Sequence, residues 1–124
     1  MPEPWTVKRR VMRMVFESSI DSYPNEFAAL LKVNKKGVIS ELVLLPGTLQ
    51  GRRSAVFALY MMPISFDVVG TVHSHPTPNC IPSDEDRSLF QRFGDVHIIV
   101  GYPFNERSWQ GYDKVGRPRD VVVV

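Results

Sequence analysis

The stretch VVGTVHSHPTPNCIPSDED, residues 68–86, decides the fold. Its first eight residues are mostly β-branched and apolar up to the histidines, which is typical of a strand. Side chains two residues apart share one face of a strand, so His73 and His75 should point the same way and Ser74 the other way. The proline that follows cannot donate to a β-ladder and is expected to end the strand.

A helix is predicted to begin after the short, proline-containing loop. Ser83 is a favoured N-cap residue, and Asp86 falls in the first turn, where the helix dipole favours an ionised carboxylate. Leu89, Phe90 and Phe93 supply an apolar stripe. The pattern S-x-x-D is also an ordinary capping-box variant, so both polar residues have a purely structural interpretation. For Ser83 the two interpretations are compatible, because a hydroxyl has one donor and two acceptor sites.

Two imidazoles and one carboxylate within fourteen residues can bind a single divalent metal. We predict that His73, His75 and Asp86 hold one Zn²⁺ per chain. Three protein ligands leave one tetrahedral position open for water, which is typical of catalytic rather than structural zinc. A water so activated is a nucleophile near neutral pH, so the residues predict a zinc hydrolase.

Length and composition exclude several classes of protein. The 124 residues suit one domain, 1–124. No apolar run reaches the roughly 18 residues of a membrane span, no secretory signal is evident, and one cysteine cannot form an internal disulfide. We therefore expect a cytoplasmic protein with no membrane partner. A net charge of +2 argues against a nucleic-acid partner.

Other hydrolase classes that use similar motifs do not fit. Amidohydrolase barrels with H-x-H need about 250 residues. The H-x-E…P-C-x-x-C deaminase signature and H-E-x-x-H are both absent from the sequence.

The remaining segments predict a mixed α/β fold, with a sheet against which helices pack. Residues 7–22 have helical spacing, and Tyr23-Pro24-Asn25 should break that helix. His97, within an apolar strand pattern, is expected to be a packed or hydrogen-bonded strand residue. The predicted strands are Glu26–Val33, Val38–Leu45, Ser54–Leu59, Val96–Tyr102, Ser108–Asp113 and Val121–Val124.

Glu26 is the remaining candidate for chemistry. A carboxylate at the start of the apolar run FAALL is unusual. It could be an exposed strand-edge residue, a salt-bridge partner, or a general base that takes a proton from the metal water. Sequence alone cannot place it beside His73, because the two residues lie far apart in the chain.

The combination of Glu26, H-S-H-P at 73–76, Ser83 and Asp86 resembles the JAMM motif of the MPN+ metalloproteases. The similarity extends over nearly the whole chain and is greatest to short, stand-alone archaeal JAMM proteins. It implies the MPN fold, a curved mixed sheet flanked by helices. It also implies zinc at the three ligands, Glu26 as base and later acid, and Ser83 as a group that stabilises the oxyanion.

The resemblance further implies a substrate and partners. The scissile bond would be an amide or isopeptide bond after the C-terminal glycines of a ubiquitin-like small modifier protein. Trimming of a sulfur-carrier protein adduct is an alternative with the same chemistry, and a non-catalytic MPN interaction module is another. A DNA-repair-associated branch carries a similar motif, but the modest charge disfavours it. A homodimer is possible.

A glycine tail offers no side chains to grip, so backbone pairing with a strand edge should position it. The segment Gly47–Leu59 resembles the family's insertion beside the substrate tail. The residues predicted to bind substrate there are Gln50, Arg52, Arg53, Ala55, Val56 and Phe57.

Overall fold

The computed structural model describes residues 3–44 and 65–124, which form seven strands and two helices. Neither helix is long and apolar enough to cross a membrane. In chain order the elements are β1 (Trp5–Val7), α1 (Arg9–Ser22), β2 (Ala28–Val33), β3 (Ile39–Leu44), β4 (Val68–His75), α2 (Asp84–Phe93), β5 (Val96–Gly101), β6 (Trp109–Tyr112) and β7 (Val121–Val123).

The strands form one mixed sheet with the order β6-β5-β4-β2-β3-β1-β7. Strand β4 is central: it pairs antiparallel with β2 and parallel with β5. Because β4 and β5 are parallel, the chain must cross over between them, and α2 makes that crossover. The start of α2 therefore lies at the carboxyl end of β4.

Alternating residues of β2 show how the two helices cover opposite faces of the sheet. Ala29 and Leu31 pack in the same core cluster as Val11, Met12 and Val15 of α1. The intervening residues of β2 pack in a second cluster with apolar residues of α2. This is the period of two expected for a strand buried on both sides.

The sheet curls so that its two ends approach each other. After β6 the chain turns, and the Arg119 amide donates to the Gly111 carbonyl at 2.9 Å before the chain enters β7. An isolated bridge also joins Tyr112 to Pro118. Since β6 and β7 stand at opposite ends of the strand order, these bonds require a strongly curved sheet.

Strand β4 begins and ends where the sequence predicts, at Val68 and His75. The predicted helix 7–22 starts too early, because residues 5–7 form β1, which pairs with both β3 and β7. Strand β2 begins at Ala28 rather than Glu26, since the Phe27 amide donates to the Ser74 hydroxyl at 2.8 Å instead of to a backbone carbonyl.

The later predicted strands are found with each end shifted by at most one residue. Val38–Leu45 is observed as Ile39–Leu44, and Val96–Tyr102 as Val96–Gly101. Ser108–Asp113 is observed as Trp109–Tyr112, and the last strand ends at Val123. The predicted strand Ser54–Leu59 lies outside the described residues.

His97 is fully buried in β5 and hydrogen-bonded, as expected from its pattern. Its Nε2 lies 2.9 Å from the Gly94 carbonyl, so this nitrogen carries the proton, and Nδ1 accepts from the Thr71 hydroxyl at 2.8 Å. The ring stacks on Phe90 with centroids 4.2 Å apart. Burial lowers the pKa of His97 from 6.5 to about 4, so the folded protein holds it neutral.

This lowered pKa predicts a loss of stability in acid. A histidine whose folded pKa lies below its unfolded value contributes fully above about pH 6.5, and the contribution falls as the pH drops toward 4. At pH 4.5 the free energy of unfolding should be about 2.5 kcal/mol lower than at pH 7.5 from this residue alone. Urea titrations at both pH values should show that His97→Gln removes most of this difference. An unchanged difference in the variant would contradict the assignment.

Candidate metal centre

Strand β4 presents His73 and His75 on the face that α2 covers. Their Nε2 atoms lie 3.2 Å apart. The His73 side chain has no exposed surface, whereas that of His75 is 15% exposed. One imidazole therefore lies at the floor of the site and the other toward its mouth.

Asp86, in the first turn of α2, completes the cluster. One carboxylate oxygen, Oδ1, lies 3.1 Å from Nε2 of His73. The other, Oδ2, lies 3.1 Å from Nε2 of His75 and also accepts from the Ser83 amide at 2.9 Å. The Asp86 amide in turn donates to the Ser83 hydroxyl oxygen at 3.1 Å, which completes a capping box. The cap thus orients the carboxylate toward the two histidines.

These separations fit a tetrahedral metal ion. Ligand atoms bound at about 2.0–2.1 Å in tetrahedral geometry stand about 3.3–3.4 Å apart, close to the spacing between the two histidines and Asp86. Nδ1 of His75 lies 2.8 Å from the Asn79 carbonyl and so carries the proton, which leaves a lone pair on Nε2. In residues 3–44 and 65–124, these three form the one cluster of its kind that could hold a metal ion.

The electrostatics of the cluster favour an ionised carboxylate. Burial would raise the pKa of Asp86, but its close contacts with the imidazoles of His73 and His75 outweigh burial and hold that pKa well below its usual range. Burial acts to lower the pKa of His75, yet its bonds to Asp86 and to the Asn79 carbonyl raise it overall. The negative charge of Glu26 acts in the same direction.

That charge effect agrees with the position of Glu26 next to the site. Ala28 is opposite His73 in the antiparallel ladder, and the Ser74 amide donates to the Phe27 carbonyl at 2.9 Å. Glu26 directly precedes this paired segment, at the end of β2 that lies beside the carboxyl end of β4 and His75. The fold therefore supplies the proximity that the sequence could not.

Ser83 is the N-cap of α2, as predicted, and its structural role is evident. The bond from the Asp86 amide uses one acceptor site of the hydroxyl, and no described residue accepts its proton, which can therefore be donated to a substrate. The structural and functional interpretations therefore remain compatible.

The predicted substrate-binding residues lie outside the described residues and stay predictions, namely Gln50, Arg52, Arg53, Ala55, Val56 and Phe57. Sequence reasoning missed Asn79, whose carbonyl fixes the tautomer of His75. The constrained loop between two prolines was the available signal, but a backbone carbonyl has no residue-type signature.

Comparisons with known sequences agree with this site. Residues 8–112 match the family of prokaryotic homologs of the JAB domain. A curated "Probable metalloprotease" of Haloferax volcanii is 35% identical over 117 residues, an alignment that covers 87% of this chain and 72% of that protein.

Comparison with solved structures finds JAMM and JAB1/MPN proteins among the similar folds. One, described as "JAMM: A Metalloprotease-like Zinc Site in the Proteasome and Signalosome", is 38% identical with a TM-score of 0.78, covering 98% of this chain and 99% of its own. A JAB1/MPN domain protein from Archaeoglobus fulgidus is 37% identical with a TM-score of 0.77, covering 99% of both chains. A protein from Desulfitobacterium hafniense, 20% identical with a TM-score of 0.62 over 96% of this chain and 92% of its own, shares the fold.

The geometry predicts that zinc content depends on Asp86. Changes to groups that only orient metal ligands weaken metal binding by roughly 10–100-fold. Asp86→Ala removes a ligand itself, so it should weaken zinc binding by more than that. Elemental analysis after dialysis should find about one zinc per wild-type chain. Asp84→Ala is the matched control, because Asp84 is a fully exposed acid in the same helical turn that pairs with Arg87. Full zinc occupancy in a folded Asp86→Ala protein would contradict the site.

Proposed function

The chain belongs to the family of prokaryotic homologs of the JAB domain, and on that premise we propose that this JAMM-type zinc metalloprotease cleaves the amide bond after the C-terminal glycines of a ubiquitin-like small modifier protein. The comparisons confirm the family that the motif resembles, and they confirm the MPN fold, a curved mixed sheet flanked by helices. The substrate and the role of each side chain are the proposal.

The proposal rests on the convergence of three ligand side chains at one point of the fold. Two imidazole nitrogens and both oxygens of one carboxylate converge at 3.1–3.2 Å, at the carboxyl end of β4. A site of three protein ligands, one of them at its mouth, leaves room for water and substrate. A Zn²⁺ held by His73, His75 and Asp86 would lower the pKa of a water and polarise the scissile carbonyl.

Glu26 is proposed as the general base and then the general acid. Its carboxylate would accept the proton of the attacking water and deliver it to the departing amine. The pairing of Ala28 with His73, two residues after Glu26, and the effect of the Glu26 charge on the His75 pKa support this role. A proton carrier must lie within hydrogen-bond reach of both the water and the leaving group, so the proposal requires the Glu26 carboxylate to lie at the mouth of the site.

Ser83 is proposed as a donor to the oxyanion. It stands at the N-terminus of α2, where the helix dipole also favours negative charge. The capping box fixes the position of its oxygen, so the hydroxyl would be oriented before substrate binds. Preorganised donors of this kind stabilise charge that develops in the transition state.

The substrate tail would lie extended across the site, and the segment Gly47–Leu59 is proposed to pair with it. Arg52 and Arg53 would meet acidic residues on the body of the modifier. A sulfur-carrier protein with a glycine tail presents the same kind of bond and is the second candidate substrate. The intact ligand cluster argues against a non-catalytic interaction module. A cytoplasmic location and a possible homodimer stay predictions.

The function is tested by cleavage of defined bonds. Zinc-loaded protein incubated with isopeptide and linear conjugates of ubiquitin-like and sulfur-carrier proteins should release products that end at the terminal glycine, identified by mass spectrometry. Glu26→Gln should keep zinc and lower kcat by roughly 10²–10⁴-fold, the usual value of base catalysis. Glu41→Gln, an exposed acid on β3, is the matched control. Near-normal turnover in Glu26→Gln would exclude the base role, and no cleavage by the wild type would exclude the substrate class.

Ser83→Ala separates the two roles of this residue. If the hydroxyl stabilises the oxyanion, kcat should fall by up to about 10²–10³-fold. The lost N-cap should also cost about 1 kcal/mol of stability. Ser83→Thr keeps both a hydroxyl and a cap and should restore most of the activity. A loss of stability with kcat intact would show that Ser83 only caps the helix.

A further inference from the structure

The curled sheet leaves an open seam where β6 approaches β7, on the side that α1 covers. The seam is closed at one end by two backbone bonds: the Asp113 amide donates to the Arg117 carbonyl at 2.8 Å, and the Arg119 amide donates to the Gly111 carbonyl at 2.9 Å. The next pair in this antiparallel register would be Trp109 with Val121. No backbone hydrogen bond joins that pair, so the seam opens there.

The edge of β7 that faces the opening has unpaired backbone groups. On its other side, β7 bonds to β1 and to the start of α1: the Asp120 carbonyl accepts from the Trp5 amide, and the Val124 amide donates to the Val7 carbonyl. The Val124 carbonyl accepts from the Arg9 amide. Since backbone groups alternate in direction along a strand, those of Val121 and Val123 point to the other side, into the seam. Among the described residues, they have no backbone partner there. An edge of this kind is a template for another strand.

Two neighbouring cavities follow the opening. The first, of about 310 Å³, has an apolar floor that includes Met12 and Phe16 of α1 and Val123. The second, of about 250 Å³, continues toward the closed end of the seam. Both are lined by Glu106 and Trp109, so they are adjacent, and we call the two together the seam groove. Apolar side chains of an added strand could enter its floor.

The charges of the seam groove favour an acidic occupant. Arg9 and Arg13 line it one helical turn apart, and like charges at this spacing destabilise a helix unless an anion lies between them. Neither guanidinium has an ion-pair partner in the described part of the chain. The first turn of α1 contains no acidic residue. Arg119 lines the other end, so arginines outnumber the acids Glu106 and Asp120.

We propose that the seam groove binds an extended, acidic segment of a partner protein as an added strand on the edge of β7. The backbone of Val121 and Val123 would pair with the segment, and its apolar residues would lie on Met12 and Phe16. Its carboxylates would meet Arg9 and Arg13. A second copy of this chain would bring the same arginines to the groove, so the charges disfavour it as the occupant. The groove lies on the sheet face opposite the metal cluster, and the inference does not depend on the proposed function.

The test uses a fluorescein-labelled octapeptide of alternating glutamate and leucine, with blocked ends, and fluorescence anisotropy on zinc-loaded protein. Arg13→Glu should weaken binding at least tenfold. Lys35→Glu is the matched control, because it makes the same charge change in the exposed turn after β2, and it should weaken binding less than twofold. The affinity should be the same after zinc is chelated, which separates this surface from the metal site.

Backbone pairing is tested with two N-methylated versions of the peptide, each methylated at alternate residues. Only one set of amides can face β7 while the leucines face the groove, so one version should lose binding and the other should keep it. Equal binding of both versions would overturn the proposal. A dissociation constant above about 1 mM for the parent peptide would also overturn the proposal, as would normal binding by the Arg13→Glu protein. A dimer detected by light scattering, with this groove as its interface, would overturn it too.

Discussion

The carboxylate of Asp86 joins the parts of the site. One oxygen contacts His73, and the other contacts His75 and accepts the Ser83 amide. The same residue therefore closes the capping box of the crossover helix and completes the metal cluster, so the helix cannot shift along β4 without breaking the cluster. A buried acid of this kind is costly unless each oxygen has partners, and here the cap and the histidines supply them.

The crossover between β4 and β5 explains why the metal ligands lie at the carboxyl end of β4. Parallel strands need a long connection, and α2 returns the chain from the carboxyl end of one strand to the start of the next. Gly70 allows the two strands to lie close together: a Cβ there would be 1.4 Å from the Val96 carbonyl oxygen. The close pairing holds β4 in register with β5, and so fixes the direction of both histidines.

Strand β4, helix α2 and the metal ligands were predictable because their signals are local. The alternation along the strand, the helix cap and the spacing of the ligands all lie within residues 68–86. Long-range pairing was not predictable. Strand β1 has three residues and exists only because β3 and β7 flank it. The position of Glu26 depends on the register between β2 and β4, and the seam groove depends on curvature of the whole sheet. Neither property has a signature in the sequence.

The three ligand residues span only fourteen positions, whereas Glu26 joins them through a pairing across the sheet. Closing so short a loop costs little chain entropy, and the cost grows only with the logarithm of length. During folding, we therefore expect the ligands to come together before the sheet is complete. Metal binding would then depend on local closure of the chain, whereas the position of the proposed base Glu26 would depend on the later pairing of β2 with β4.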